Sequence, residues 1–536
     1  MWSEHVPIPK PPPPFTRPAG VPEGAAGPRP PYTRRVGRHE LAILAGLLLS
    51  AAACASARPF RCPAEGGPGW LEITTDHFVA WTDLDPPKAR KLVERLEWTR
   101  SAIVAAAWGR VAAPETRLGV VALRSDRELR DLSRPGVAGW IIIDAFQPRL
   151  VLSAEAGPSP PPAVAYEIAQ HLSAFALLRQ PRWLWEGLAA YLESVAPLPG
   201  SDSALVGLPS RWAGAVRRGP VAAREILAWG ERSDAQPQRG DALHGSAWLL
   251  VHHLVSEKGR QFAAWQDLLA RGEVPQRAWR EVFPEYDPLA PEGLARLDAN
   301  LAEYASEGRF RRRAVPVPPW GGTPVERDMD DAEVHATRAL LHLSVPAGSG
   351  PPVEVRRAAA QEEVAEALRR DPADAAALSL SVWLAPEAQR PERARASARA
   401  HPDSWRAWYV VARVLHGGPE RAEREAALRR ALALAPGDPA VLSALAWELV
   451  DSGRAAEALP IAAEAVERAA WKALPLDAQA AALAGTGECT RALAVQRRAV
   501  EVLPDWTPDR ERTDLLARLD AYEARCGAGP DPRPGG

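Results

Sequence analysis

The sequence is poor in several features that would assign a class at once. Only four of its 536 residues are cysteine and two are methionine. A disulfide framework of the kind that staples small secreted domains is therefore excluded. No run of 18 or more apolar residues occurs, which rules out repeated helical crossings of a bilayer. Charge of one sign is also lacking, since 65 Lys and Arg oppose 67 Asp and Glu for a formal net charge of -2. A general nucleic-acid binder needs a basic field to displace counterions from phosphates, so that class is disfavoured. There is no G-x-S-x-G elbow, no phosphate-cradling glycine loop and no C-x-x-C pair. Proline is abundant at 54 residues, but without a G-x-y period, so collagen is out. Hydrophobic content of 46% and charged content of 25% leave a multidomain soluble chain.

What is present begins with a proline-rich leader, residues 1–35. Residues 1–31 alone hold eleven prolines, including the run Pro11–Pro14. Such composition cannot bury enough apolar surface to offset its ordering entropy, and disorder is expected. Arg34, Arg35 and Arg38 then precede an apolar run from Leu41 to Ala53 and Cys54. A basic start, a short apolar run and small residues before a cut are the layout of a secretory signal. Ser50-Ala51-Ala52-Ala53-Cys54 resembles a bacterial lipoprotein signal, with Ala51 where a large aliphatic residue is usual. The resemblance implies lipidation of Cys54 and a membrane-anchored protein of the cell envelope, in the periplasm or at the outer membrane. Residues 36–54 form this segment, and a start at Val36 would make it compact. Ordinary signal cleavage, an uncleaved anchor and a buried helix stay open.

The middle of the chain, residues 71–305, starts as sheet and becomes helical. Residues 71–75 and 78–82 alternate like strands, Pro86 to Trp108 reads as a helix, and 117–123 reads as a further strand. A polar helix near Asp126 and a strand pair at 140–144 and 150–153 follow. After Pro162 the pattern is helical throughout.

Two pieces there carry the chemistry: Tyr166-Glu167-Ile168-Ala169-Gln170-His171, and Pro181-Arg182-Trp183-Leu184-Trp185-Glu186-Gly187-Leu188-Ala189-Ala190-Tyr191. The second resembles the P-x-W-L-x-E-G-x-A-x-Y segment of gluzincin metallopeptidases of the peptidase MA-like group. There it follows an H-E-x-x-H helix, whose two histidines share one helix face and whose Glu activates water. The resemblance implies an α+β domain, a small sheet plus a helical subdomain. It matches Glu186 to the third zinc ligand and Glu167 to the general base. The histidine positions hold Tyr166 and Gln170, neither a normal zinc ligand. No catalytic or metal site is therefore expected, and no cofactor. The alternative is a slipped zinc site of Glu167, His171 and Glu186 in a divergent peptidase, since His171 lies one residue, about 100° of helix, past Gln170. The helix from Leu243 to Leu254 resembles the family's following core helix. Its His244, His252 and His253 are read as satisfied or surface histidines. A third reading uses Trp183 and Trp185 as stacking surfaces for cell-wall polymer.

Arg311-Arg312-Arg313 and the proline- and glycine-rich stretch to Gly322 mark a linker, 306–330, with phosphate-headgroup contact as the alternative to a solvated hinge. Beyond it, 331–525, the chain repeats. Gly453, Ala458 and Ala465 recur 34 residues on as Gly487, Ala492 and Ala499, and Pro402, Pro436 and Pro504 fit the same lattice. This is the signature of tetratricopeptide repeats, at about 405–436, 439–470 and 473–504, with degenerate units within 331–402. An all-α solenoid with a concave face for a protein or peptide partner is expected. Docking of the array on the preceding domain is the other reading. A polar cap from Arg510 to Arg525 and a disordered tail, 526–536, complete the chain. Cys489 and Cys526 could pair or remain thiols. The leading expectation is a lipid-anchored, non-catalytic scaffold.

Overall fold

The computed structural model describes residues 60–109, 117–133, 139–142, 148–155, 162–217, 219–229, 237–308, 310–346, 348–416, 418–503 and 509–527. The leader, the signal-like segment with Cys54, Pro504 and all but the start of the tail lie outside them. The chain divides into two compact units, 1–67 and 68–536. In the first, Cys62 is buried ahead of a single 3-10 turn, Pro63–Glu65.

The second unit opens with the two alternating runs as an antiparallel hairpin, β1 (Leu71–Thr74) and β2 (Phe78–Thr82), with Ile73 opposite Ala80. Ile73, Phe78 and Ala80 turn to the core. Helix α1 (Pro86–Ala107) crosses over to β3 (Leu118–Leu123), which runs parallel to β2 and is buried along its whole length. That is the pattern of an internal parallel strand covered on both faces. Helix α2 (Asp126–Leu132) starts where the Ser125 hydroxyl accepts from the Arg127 and Glu128 amides. Strands β4 (Gly139–Ile142) and β5 (Arg149–Ser153) pair antiparallel, and β5 lies parallel to β3.

Helices α3 (Pro162–Ala176) and α4 (Arg182–Leu192) follow, then short strands β6 (Ala196–Pro197) and β7 (Ser203–Val206). Next come α5 (Ala213–Val216), α6 (Ala223–Leu227), α7 (Pro237–Glu257), α8 (Gly259–Ala270), α9 (Pro275–Val282) and α10 (Pro291–Glu307). One hydrophobic cluster runs from Leu71 to Tyr304, joining sheet and helices in a single core.

The segment expected as a linker does more than connect. Strand β8 (Arg313–Pro316) pairs with β7 in a three-stranded sheet of order β6-β7-β8, and β9 (Val325–Asp328) pairs with β1 to complete a six-stranded sheet of order β4-β5-β3-β2-β1-β9. Arg313 reaches back to the Ala106 carbonyl at 2.6 Å, so part of the arginine run is structural.

From α11 (Asp331–Ser344) onward the fold is helical: α12 (Val353–Arg370), α13 (Ala375–Leu384), α14 (Arg390–Ala400), α15 (Trp405–Val414), α16 (Arg421–Leu434), α17 (Pro439–Asp451), α18 (Ala455–Ala469), α19 (Ala473–Gly485), α20 (Cys489–Glu501) and α21 (Asp509–Gly527). First helices begin at Trp405, Pro439 and Ala473, and second helices at Arg421, Ala455 and Cys489, each 34 residues apart. Ala412, Ala446, Ala458 and Ala492 are buried at the crossings, where a small side chain lets helix axes approach. Side chains of Asp374, Ser404 and Asp438 cap the first helices of three pairs. This is a repeat array of the tetratricopeptide kind.

The array touches the sheet domain at both of its ends. Near its start, Arg338 pairs with Glu128 at 2.9 Å and the Trp140 indole donates to Ser344 at 3.3 Å. Near its end, Trp471 lies 4.6 Å from Phe175 between ring centroids, and Arg179 pairs with Glu501.

Candidate functional site

Glu186 stands on α4, facing α3, and is 6% exposed. A carboxylate so buried is costly unless its oxygens are paired or hydrogen-bonded. Here Oε2 accepts from the Tyr166 hydroxyl and from Gln170 Nε2, the latter at 3.0 Å. Tyr166 and Gln170 are four residues apart, so they share one face of α3. Arg182, four residues before Glu186 on α4, lies 3.7 Å from Oε1, and His244 Nε2 on α7 lies 3.5 Å from Oε2.

The approach of α7 depends on Gly187. A Cβ there would come within 2.5 Å of the Ala247 carbonyl oxygen, so only glycine lets α4 and α7 pack this closely. Ala247 is one turn beyond His244, and the close crossing delivers the imidazole to Glu186. Trp212 stacks on His244 at 4.8 Å, and Trp229 meets its edge at 5.0 Å. Arg182 lies over Trp229, and Arg211 lies over Trp212 and Tyr166. These contacts roof the carboxylate with aromatic and guanidinium groups.

The electrostatics follow from the donors. His244 Nδ1 is 2.8 Å from the Gly240 carbonyl, which requires a proton on Nδ1. Its Nε2 then faces a carboxylate, and a second proton is favoured there. Burial opposes that charge, but Glu186 outweighs it, and His244 titrates above the ordinary histidine range. Burial likewise opposes ionisation of Glu186, yet His244, Tyr166 and Arg182 together hold its carboxyl below the usual range. Burial first, and the Glu186 charge second, push the Tyr166 phenol well up. Glu167 is only partly buried, and burial followed by the charge of Glu186 pushes it up to about 7, against Arg211.

A zinc ion does not fit this donor set. Phenol and carboxamide replace imidazoles at 166 and 170, and both spend their protons on Glu186. The negative charge of Glu186 is balanced by Arg182 and His244, so a dication would meet positive neighbours. Among the described residues, no group of three His, Cys, Asp or Glu side chains is placed to hold a metal.

The slipped alternative of Glu167, His171 and Glu186 is not assembled either. His171 lines a separate small cavity with His77, Arg100 and Ile168, and it packs against Phe175. One residue of helical rotation has carried it away from Glu186.

The stacking surfaces for polymer are not available as read. Trp183 is 2% exposed and stacks on Trp265 at 5.3 Å within the core. The Trp185 indole donates to the Gln170 carbonyl at 3.1 Å and so braces α3 against α4. His252 is a satisfied core residue, bonded to Tyr304 and to the Gly207 carbonyl, whereas His253 is buried against Tyr304 with neither ring nitrogen hydrogen-bonded among the described residues, so it is neither satisfied nor at the surface. His244 differs from the sequence reading, because it belongs to the Glu186 cluster. Arg182 had a legible signal, its four-residue offset from Glu186. For His244 and Arg211 no local pattern could have supplied one.

Cys489 is disulfide-bonded, through a partner that lies outside the described side chains, whereas Cys62 is not in a disulfide.

No protein family matches by sequence profile, and no curated protein matches by sequence. Among solved structures, a thermophilic tetratricopeptide protein of Thermus thermophilus is 16% identical over 35% of this chain and 99% of its own, with a TM-score of 0.28. MamA is 14% identical over 32% of this chain and 91% of its own, at 0.26. Yeast Tom70 is 10% identical over 68% of this chain and 66% of its own, at 0.31. The tetratricopeptide character of the array rests on the 34-residue spacing of its own helices.

Proposed function

We propose that this chain is an exported, lipid-anchored, non-catalytic scaffold. In this reading a gluzincin-like domain without its metal carries a tetratricopeptide array that binds a protein or peptide. One observation carries the reading. Tyr166 and Gln170 stand where the resemblance calls for zinc-binding histidines, and both donate to Glu186, the residue matched to the third ligand. The three positions converge, as the resemblance requires, but their chemistry joins them to one another instead of to a cation.

Partner binding is supported by partly exposed aromatic rings on the first helices of successive pairs, Trp405, Trp408 and Trp447. Such rings give large contact area at low entropic cost. Export is supported by the disulfide at Cys489, since disulfides persist outside the reducing cytosol.

The test is metal content of the full chain after zinc loading and desalting, beside a Glu186→Ala control. No retained zinc in folded protein is expected. Stoichiometric zinc that disappears in the control would overturn the reading and make the domain a peptidase candidate.

A further inference from the structure

Helix α4 also borders a cavity separate from the Glu186 cluster. Tyr191, which lines it, lies five residues beyond Glu186, about 140° round the helix. We infer that this cavity, where α1, α4, α7 and α8 meet β8, binds a small aliphatic carboxylic acid. The carboxylate would lie on Arg313 and the Tyr191 hydroxyl, and the tail among Leu188, Leu192 and Phe262.

The cavity measures about 110 Å³. An engineered apolar cavity of about 150 Å³ holds benzene, so this one admits a tail of about three or four carbons. Four helices supply its apolar wall. Ala106 lies at the end of α1, Leu188 and Leu192 stand on α4, Val255 on α7 and Phe262 on α8. Leu188, Leu192 and Phe262 are buried side chains, so a tail placed against them leaves water.

Three polar side chains share the space with that wall, and no Asp or Glu lines it. Tyr191 is 2% exposed, and its hydroxyl has the Arg313 guanidinium as a neighbour. Burial pushes the Tyr191 phenol up, against the pull of Arg313, so the hydroxyl keeps a proton to donate at pH 7. Arg313 spends Nη2 on the Ala106 carbonyl at 2.6 Å, and among the described residues no carboxylate pairs with it. Glu257, at the end of α7, pairs with Arg311 instead, at 3.5 Å. Gln266 is 8% exposed and accepts from the Trp108 indole through Oε1 at 3.0 Å. Its Nε2 makes no hydrogen bond among the described residues. A buried amide donor without a partner is costly, and an acceptor in the cavity relieves that cost.

This combination selects one chemistry. A guanidinium without a carboxylate, beside a phenol, calls for an anion that accepts from both, which a carboxylate does with its two oxygens. The apolar wall calls for a tail, which phosphate and sulfate lack. Arg313 is exposed, so the charged head keeps contact with water and only the tail is desolvated.

The test is calorimetric titration of the full chain with sodium isobutyrate, sodium acetate and isobutyramide, at ionic strength matched with sodium chloride. One saturable site for isobutyrate is expected. Acetate has two carbons fewer and should bind about tenfold more weakly. Isobutyramide keeps the shape without the charge and should also lose about tenfold. Arg313→Gln should weaken isobutyrate by a similar factor. Ala263 lines the cavity at an exposed position, so Ala263→Phe should close the opening and abolish saturable binding. That variant keeps the test decisive if Arg313→Gln, which also gives up the Ala106 carbonyl, fails to fold. Absence of saturable heat, equal affinity for the acid and its amide, or unchanged binding in Ala263→Phe would overturn the site.

Discussion

Gln170 Nε2 donates to Glu186 Oε2 across 3.0 Å, a bond that ties α3 to α4. The Tyr166 hydroxyl meets the same oxygen. Both side chains thus spend their protons on the one buried carboxylate.

The proposed gluzincin-like geometry of α3 and α4 can be tested by gain of function. The double substitution Tyr166→His, Gln170→His should give the chain measurable zinc binding, above that of the natural sequence. Elemental analysis after zinc loading and desalting checks this. Absence of zinc in a folded double variant would count against the gluzincin-like geometry of α3 and α4.

Tyr166→Phe removes a donor while leaving ring and volume in place. The buried Glu186 oxygen then loses a partner, which costs about 1–3 kcal/mol of stability. Denaturant unfolding at pH 7 measures it, and the deficit should shrink when Glu186→Gln is added.

Glu167 gives a pH signature. Its carboxyl is raised from 4.5 to about 7, so the folded state holds the proton more tightly than the unfolded chain. Its contribution is full below pH 4.5 and is lost as pH rises through 7. Glu167→Gln should therefore unfold with more stability than the natural chain at pH 8, by roughly 2 kcal/mol after allowance for partial exposure. Near pH 4 the two should coincide. Equal stability at both values would show that Glu167 is not raised.

The contact between array and domain is testable separately. Trp471→Ala deletes the ring packed on Phe175 and should lose about 1 kcal/mol beyond its buried area. Protease cutting in the α18–α19 connection should accelerate in the variant. Unchanged cutting would mean that this contact does not hold the array in place.

Reduction should weaken the end of the array. The Cys489 disulfide, with Cys526 proposed as its partner across α20 and α21, is expected to contribute about 3 kcal/mol. Tm measured with and without reductant, and in Cys489→Ser, provides the check. Peptide mapping of the non-reduced chain identifies the partner.

Local pattern alone determined much of this protein. Alternation at 71–74 and 78–82 announces a hairpin, because successive side chains of a strand point to opposite faces. The 34-residue lattice announces the helix pairs, since each crossing needs a small residue at a fixed place. Spacing places Tyr166 and Gln170 on one helix face, and only the family resemblance adds Glu186 to them. Other features required the tertiary structure. Val325–Asp328 lacks a strand's hydrophobic alternation, and only its pairing with β1, some 250 residues earlier, makes it one. His244 reaches Glu186 because Gly187 lets α7 approach, a relation between helices far apart in sequence. Phe175 and Trp471 meet because the array folds back onto the domain. Spacing along the chain fixes which side chains share a face; which faces then meet is decided by the packing of distant elements, and that leaves no mark in any local run of residues.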